Sequence, residues 1–240
     1  RSTAINALAD LAPDLPQYAS FDTAFHASNP AVAVTYALPL AERERGLRRY
    51  GFHGISYAGL VASLAPDVPR RLLALHLGNG ASLCAIRDGQ SVATTMGYSP
   101  LDGLTMGTRT GSIDGNAVLR LAELHGVEAA ARILNRESGL LALGGTNDMR
   151  ALQEAGSPEA AFARDHFRYW TIRHCGSLIA AMGGLDAIAF TGGIGENDAE
   201  MRAAICAGLA WAGDVPCLVV QAEEERTIAA QALDLQRSGR

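Results

Sequence analysis

The chain has 240 residues, 48% of them apolar and 19% charged, with a formal net charge of −5. That length supports one large domain or two small ones with a proper core, and the acidic balance argues against a nucleic-acid surface. All 20 basic residues are arginine. Without lysine, a Walker-type phosphate loop, a protein-kinase site and Schiff-base chemistry are excluded, so any phosphate chemistry must use arginine, backbone N–H groups, histidine or a metal.

Arg1–Gln17 reads as a helix ending at "APDLPQ", and "YASFDTAFH" (Tyr18–His26) as a short strand ending in a polar turn. Asn29–Leu40, with two prolines, reads as an irregular connection, and "RERGLRR" (Arg43–Arg49) as a solvated helix end. His53–Ala65 is helical. Arg70–Thr95 carries the clearest β pattern: a buried strand runs into Gly78-Asn79-Gly80, a second strand follows, and Asp88-Gly89 suits a tight hairpin turn. A glycine-rich loop covers Met96–Gly115. Helices are expected at Ala117–His125, Glu128–Asn135 and Pro158–Met182. Leu185–Asn197 reads as a buried strand ending in a glycine turn that opens a helix, Ala199–Leu209. "PCLVVQ" is a further strand, and Glu223–Gln236 a final amphipathic helix. Strands alternating with helices define the class as α/β.

Cys84, Cys175, Cys206 and Cys217 show no close pairing and no metal-type spacing, so they read as scattered core thiols of a reducing compartment. No signal peptide and no uncharged apolar run of roughly 18–20 residues is found. A cytoplasmic protein with no membrane or nucleic-acid partner is expected.

Three strand-to-glycine turns stand out: "LHLGNGAS", "MGTRTGSIDG" and "FTGGIGEN". Glycine removes the Cβ that would keep backbone N–H groups from an anion, and the last turn opens a helix whose N-terminal dipole favours negative charge. Each alone is a tight turn; three in one lysine-free chain point to a polyphosphate. "FTGGIGEN" is not a dinucleotide fingerprint, because the pattern counted from Gly193 requires glycine where Asp198 stands. His26, His53 and His76 lie at turn edges, spaced by 27 and 23 residues, which fits no compact zinc motif. His53, beside glycines in "YGFHG", is placed to donate to a phosphoryl oxygen; His26 and His76 read equally well as structural. Asp22 is either a turn aspartate capping Ala24 or Phe25, or a carboxylate facing an acceptor or a metal. Arg109 lies among three glycines, four hydroxyls and an aspartate in "LTMGTRTGSIDG", a segment slim enough to wrap closely around something small.

"FDTAFH", "RRYGFHGIS", "LHLGNGAS", "SPLDGLTMGTRTG", "FTGGIGEN" and the late "EE…IA" resemble, in order and interval, the acetate kinase family, whose motifs propionate kinases share. The resemblance implies the actin-like ATPase fold of acetate and sugar kinases, Hsp70 and actin. It implies Mg2+ as cofactor, ATP/ADP and acetate as substrates, reversible formation of acetyl phosphate, and a homodimer. Carried over by motif, Arg109 stabilises the transferring phosphoryl group, His53 hydrogen-bonds it and Asp22 is the catalytic carboxylate. Phe52 and Pro100 line the pocket for the acetate methyl. His76, Leu77, Gly78, Asn79 and Gly80 hold the phosphates. Asp148, Met149 and Arg150 contact the adenosine, and Gly193, Ile194, Gly195, Glu196 and Asn197 line the nucleotide site. Glu224 matches the magnesium glutamate, with Glu225 as the alternative.

The resemblance covers the C-terminal part of a family member. On that basis residues 1–26 are a remnant of an N-terminal lobe with its crossing segment, 27–222 a C-terminal nucleotide-binding lobe, and 223–240 a helix that would pack on the absent lobe. Its apolar side (Ile228, Ala232, Leu235) is then expected to lack a partner and to be sticky or mobile. Ser112 stands where the family has aspartate, Gly115 where it has proline, and Tyr57 where it has histidine. The sequence leaves open acetate against propionate, and a kinase against a nucleotide-binding remnant without catalysis. A sugar kinase or chaperone ATPase of the same fold is disfavoured by the room that Phe52 and Pro100 leave for only a very small acceptor.

Overall fold

The hairpin expected at Arg70–Thr95 is the centre of the sheet. The computed structural model describes residues 2–238; Arg1 of the first expected helix and residues 239–240 of the last expected segment lie outside the described residues. β1 (Arg71–Leu77) pairs antiparallel with β2 (Ala81–Arg87), and β2 with β3 (Gln90–Thr94). Asp88 and Gly89 join β2 to β3 at φ of 53° and 75°, the positive values that a tight two-residue hairpin turn requires. β4 (Ala187–Thr191) adds parallel to β1, and β5 (Cys217–Val219) parallel to β4, giving the order β3-β2-β1-β4-β5.

The helices before and just after the hairpin are α1 (Ser2–Leu11), α2 (Ala31–Val34), α3 (Leu40–Glu44), α4 (Gly54–Leu64), α5 (Gly115–His125) and α6 (Val127–Arg136). Then come α7 (Gly139–Gly144), α8 (Met149–Ala155), α9 (Pro158–Met182), α10 (Gly192–Asn197), α11 (Ala199–Gly208) and α12 (Glu224–Arg237). α9 starts where the sequence says it should. Ser157 accepts from the Ala160 N–H at 3.1 Å, Pro158 takes the first turn, and Gly183 ends the helix at φ 78°.

Alternation of side chains along the strands divides the core into two layers. Leu73, Leu75, Leu77, Leu83, Ile188 and Phe190 face a main core shared with Phe167, Leu178 and Ile179 of α9. Leu72, Ala74, Cys84, Ile86, Ala187 and Ala189 face a smaller core closed by Tyr57 and Leu60 of α4. By the same alternation His76 and Ser82, which pair across β1 and β2, lie on the α4 side. That layer is therefore apolar along the strands and polar at their ends.

Several expectations are corrected. Tyr18–His26 is not a strand. Its backbone bonds are local (Ala24 N–H to Phe21 O, His26 N–H to Thr23 O) and lead into a 3-10 turn, Ala24–Ser28. The first helix stops at Leu11 rather than Gln17, since Pro13 and Pro16 bar its continuation. The Asn29–Leu40 connection contains the single turn α2, and the glycine turn after β4 is itself a short helix, α10. Only Cys84 and Cys175 are core thiols; Cys206 is half-buried and Cys217 exposed, and their sulfurs lie 2.7 Å apart as free thiols. The last helix does have a partner. α12 lies against α4, with Thr227 over Gly59, and Ser20 Oγ donates to Gln231 Oε1 at 2.7 Å. Ile228, Leu233 and Leu235 remain exposed.

Leu75 is fully buried at the middle of β1, in the main core. Leu75→Ala is expected to cost about 2–5 kcal/mol through lost burial and the cavity left behind. A urea midpoint that does not move would contradict this account of the core.

Candidate active site

β1 and β4 are parallel neighbours paired as far as His76 and Thr191, so both chains leave the sheet at the same end. The crevice outside the carboxyl ends of parallel strands is where sheets of this kind receive ligands. Here it is bounded by Gly78-Asn79-Gly80 after β1 and by Gly192 after β4. Gly192 sits at φ 78°, and a Cβ there would come within 2.9 Å of the Leu77 carbonyl oxygen; only glycine lets the two strand ends lie so close. A cleft of about 600 Å³ opens beyond them, lined by Gly78, Asn79, Asp148, Arg150, Gly193 and Asn197 among others.

His53 is held in an unusual backbone state. It is the residue before α4 and adopts φ 57°, ψ 25°, a left-handed conformation that a non-glycine residue occupies only when its surroundings impose it. Asp22 imposes it. One carboxylate oxygen accepts the His53 N–H at 2.8 Å, the other accepts the Ile55 N–H at 3.4 Å, and the Asp22 carbonyl accepts the Gly54 N–H at 2.8 Å. Asp22 thus caps the start of α4 across the chain, not Ala24 or Phe25. His26 is structural: its ring bonds the Phe52 carbonyl oxygen at 2.9 Å and Ser91 Oγ at 2.9 Å.

The rings of His53 and His76 stack with centroids 4.2 Å apart. His53 Nδ1 meets Ser82 Oγ at 2.9 Å, and His76 Nδ1 meets Ser56 Oγ at 2.8 Å. Burial lowers His53 to about 3, helped by the proximity of His76 and Arg109. Burial lowers His76 to about 4. Both rings are neutral at pH 7.

Arg109 is fixed from behind. Its carbonyl accepts the Met106 N–H at 3.1 Å, and Ser138 N–H bonds the Thr108 carbonyl at 3.1 Å, tying the loop to the start of α7. Its guanidinium donates through Nη1 to the Pro100 carbonyl at 2.8 Å and lies 3.4 Å from Met106 Sδ. Neither partner is charged, and burial disfavours the cation. The other nitrogen, Nη2, points to Gly80. A Cβ built on Gly80 would lie 3.6 Å from Arg109 Nη2 and 3.2 Å from His53 Nε2. Asn79 joins the two loops, its carbonyl accepting the Gly107 N–H at 3.0 Å. A half-buried cation, a ring nitrogen and a glycine loop converge, which is an arrangement for a small anion.

The other expected residues divide into surface and support. Asp148 caps α8, accepting the Arg150 N–H at 2.9 Å, on the wall of the cleft. Met149 and Leu77 are buried in the main core, and Gly195 packs against the Phe190 and Leu75 backbone. Glu196 is a clamp, accepting the Gly192 and Ala222 N–H groups, each at 3.0 Å. Asn197 Nδ2 donates to the Gly193 carbonyl at 2.8 Å, and Ile194 packs partly on the core. Phe52 is partly buried against the main core, while Pro100 meets the site through its carbonyl. Glu224 is half-buried; burial, then the nearby charge of Asp22, pushes its carboxyl up. Ser56 and Ser82, which with Tyr57 brace the histidines, and Asn147 and Gln153 on the cleft wall were not singled out from the sequence as site residues, Tyr57 only as a departure from the family. Ser82, a polar residue inside an apolar strand, is the one with a visible signal. Ser112 donates to Asp102, itself paired with Arg49. Gly115 opens α5 with open space around its Cβ, a position that proline also tolerates.

The profile of the acetokinase family matches residues 1–230. An acetate kinase of Rhodopseudomonas palustris is 49% identical over 220 residues, covering 88% of this chain and 55% of that protein. The chain spans about half the length of the curated relatives it matches. Among solved structures, Porphyromonas gingivalis acetate kinase superposes with a TM-score of 0.89 at 31% identity, over 98% of this chain and 68% of that one. A propionate kinase from Francisella tularensis superposes with a TM-score of 0.88 at 34% identity, over 95% and 66%. The fold is that of the acetate and sugar kinase, Hsp70 and actin class. Among the described residues no helix is long and apolar enough to cross a membrane.

The neutral histidines set a pH dependence. In the unfolded chain histidine titrates near its ordinary value of 6.5, whereas burial lowers His53 to about 3 and His76 to about 4 in the folded chain. Between those limits the unfolded state binds more protons, so stability is present above pH 6.5 and falls as pH drops toward 4. Urea unfolding at pH 7 and pH 5 is expected to show this loss, reduced in a His53→Gln, His76→Gln double variant. Separately, a Cβ on Gly139, at φ 67°, would overlap the Met106 and Arg109 carbonyls. Gly139→Ala is expected to cost more than about 1 kcal/mol in the same assay.

Proposed function

The chain belongs to the acetokinase family, and on that footing we propose that it transfers the γ-phosphoryl group of Mg-ATP to acetate, forming acetyl phosphate and ADP reversibly. Residues 27–222 are assigned as the C-terminal nucleotide-binding lobe, residues 1–26 as a remnant of an N-terminal lobe with its crossing segment, and residues 223–240 as the C-terminal segment that carries α12. The observation that carries the reading is the convergence of Arg109 Nη2 and His53 Nε2 on Gly80, within 3.6 Å and 3.2 Å of its ideal Cβ position.

Phosphoryl transfer asks a protein to position two reactants and to neutralise charge on the equatorial oxygens. Acetate is already ionised at neutral pH, so its oxygen attacks phosphorus without a general base. The bond to the β,γ-bridging oxygen breaks, and ADP leaves with the electron pair. A neutral His53 suits this reaction, since it donates a hydrogen bond without having to lose or gain a proton. Arg109 supplies the permanent charge, its free fork turned toward the transferring group. Gly78, Asn79, Gly193, Ile194 and Asn197 line the phosphate and nucleotide side, with Gly195 and Glu196 supporting the turn from behind and Asp148 and Arg150 on the wall assigned to adenosine. Phe52 and Pro100 border the space assigned to the methyl group.

The residues present fit magnesium. Glu224 is raised by burial first and then by the nearby charge of Asp22, which makes the two neighbouring carboxylates, and magnesium is commonly bound by one or two carboxylates with substrate phosphates completing its shell. When bound it neutralises phosphate charge. Asp22 holds the His53 turn at the same time.

Titration calorimetry of the 240-residue chain with ATP, with and without magnesium, tests nucleotide binding; magnesium-dependent binding is expected. Acetyl phosphate trapped as the hydroxamate tests transfer from ATP to acetate, with propionate run alongside. Arg109→Ala is expected to lower turnover by about 10²–10³-fold. Binding without turnover would identify a nucleotide-binding remnant, and absence of binding would overturn the reading.

A further inference from the structure

Ser82 and Tyr57 are fully buried, and a polar group without access to water must spend its hydrogens on neighbours. Ser82 Oγ lies 2.6 Å from the Tyr57 hydroxyl and 2.9 Å from His53 Nδ1. Three groups share these two contacts, and each contact takes one hydrogen. The Tyr57 hydroxyl has Ser82 Oγ as its side-chain acceptor, so its proton goes there. The Ser82 proton is then left with His53 Nδ1 as acceptor. A nitrogen that accepts carries no hydrogen, so in the neutral ring the hydrogen is on Nε2.

We infer that Tyr57 and Ser82 are positioning residues: the relay from Tyr57 O–H to Ser82 Oγ, and from Ser82 O–H to His53 Nδ1, holds His53 as the Nε2–H tautomer. Nε2 is the atom beside Gly80, facing the place where Arg109 Nη2 also points. In this tautomer it presents a donor to the phosphoryl oxygens; in the other it would present a lone pair and repel them. The low pKa of His53 is consistent with the same arrangement, because a ring that stays neutral has a tautomer to fix. The backbone turn imposed by Asp22 fixes where the ring stands, and the relay fixes which end of it donates. The effect on rate rests on the phosphoryl-transfer reading above, whereas the tautomer does not.

The test is a two-bond 1H–15N correlation spectrum of the 15N-histidine-labelled chain at pH 7, with the His53 signals assigned by their loss in His53→Gln. A hydrogen on Nε2 and none on Nδ1 is expected; a hydrogen on Nδ1 overturns the proposal. Tyr57→Phe frees the Ser82 oxygen to accept, and Ser82→Ala removes the donor to Nδ1. Either variant is expected to give a mixed tautomer, with kcat for acetyl phosphate formation lowered about ten-fold, the size of one hydrogen bond's net effect, and KM for ATP little changed. A tautomer unchanged in both variants overturns the proposal even if kcat falls. The spectrum needs no turnover. Nε2–H in a chain that transfers no phosphoryl group supports the relay and counts against the activity reading alone.

Discussion

Two parallel strands that end level release their chains into the same space, and whatever follows them must share it. The pairing of β1 with β4 as far as His76 and Thr191 creates that condition. The loop after β1 and the turn after β4 then approach so closely that Gly192 has room only for a hydrogen. The Asn79 backbone bridges to Gly107 and so brings the arginine loop to the same point. Asp22, from a segment before the sheet, bonds the start of α4 and carries His53 in from the other layer. Without the shared strand ends, none of these segments has a common place to meet.

The electrostatics of the site follow from its depth. A buried imidazole pays for its charge with lost hydration, so His53 and His76 stay neutral, while arginine keeps its charge under the same conditions because its intrinsic pKa is so much higher. One fixed cation beside two neutral rings gives positive potential without a proton to lose.

The two core layers serve this geometry differently. The main layer is apolar and packs the sheet against α9. The smaller layer is apolar only as far as Ala74 and Cys84, and then gives way to His76, Ser82 and Tyr57. α12 closes over α4 from outside, through Thr227 against Gly59, bringing Glu224 toward Asp22.

The β hairpin, the long helix α9 and the glycine turns were legible in the sequence because each is encoded locally: Asp-Gly for the turn, Ser-Pro and glycine for the ends of α9, alternation for the strands. The candidate anion site was legible as residue types, since a lysine-free chain with three glycine turns and Arg109 leaves few ways to hold phosphate. The misreadings fall where long-range contacts decide. Tyr18–His26 has a strand-like composition but a carboxylate and a ring claimed by distant partners, and so it curls. Cys206 on α11 and Cys217 on β5 are eleven positions apart in the chain, yet the fold brings their sulfurs to 2.7 Å. Residue types, turn chemistry and periodicity were therefore determined by the sequence alone, because they depend on neighbours along the chain. Only the tertiary structure decided which nitrogen faces the site, which carboxylate caps which helix and which loop touches which, because those are settled by hydrogen-bond partners far apart in sequence and buried from water.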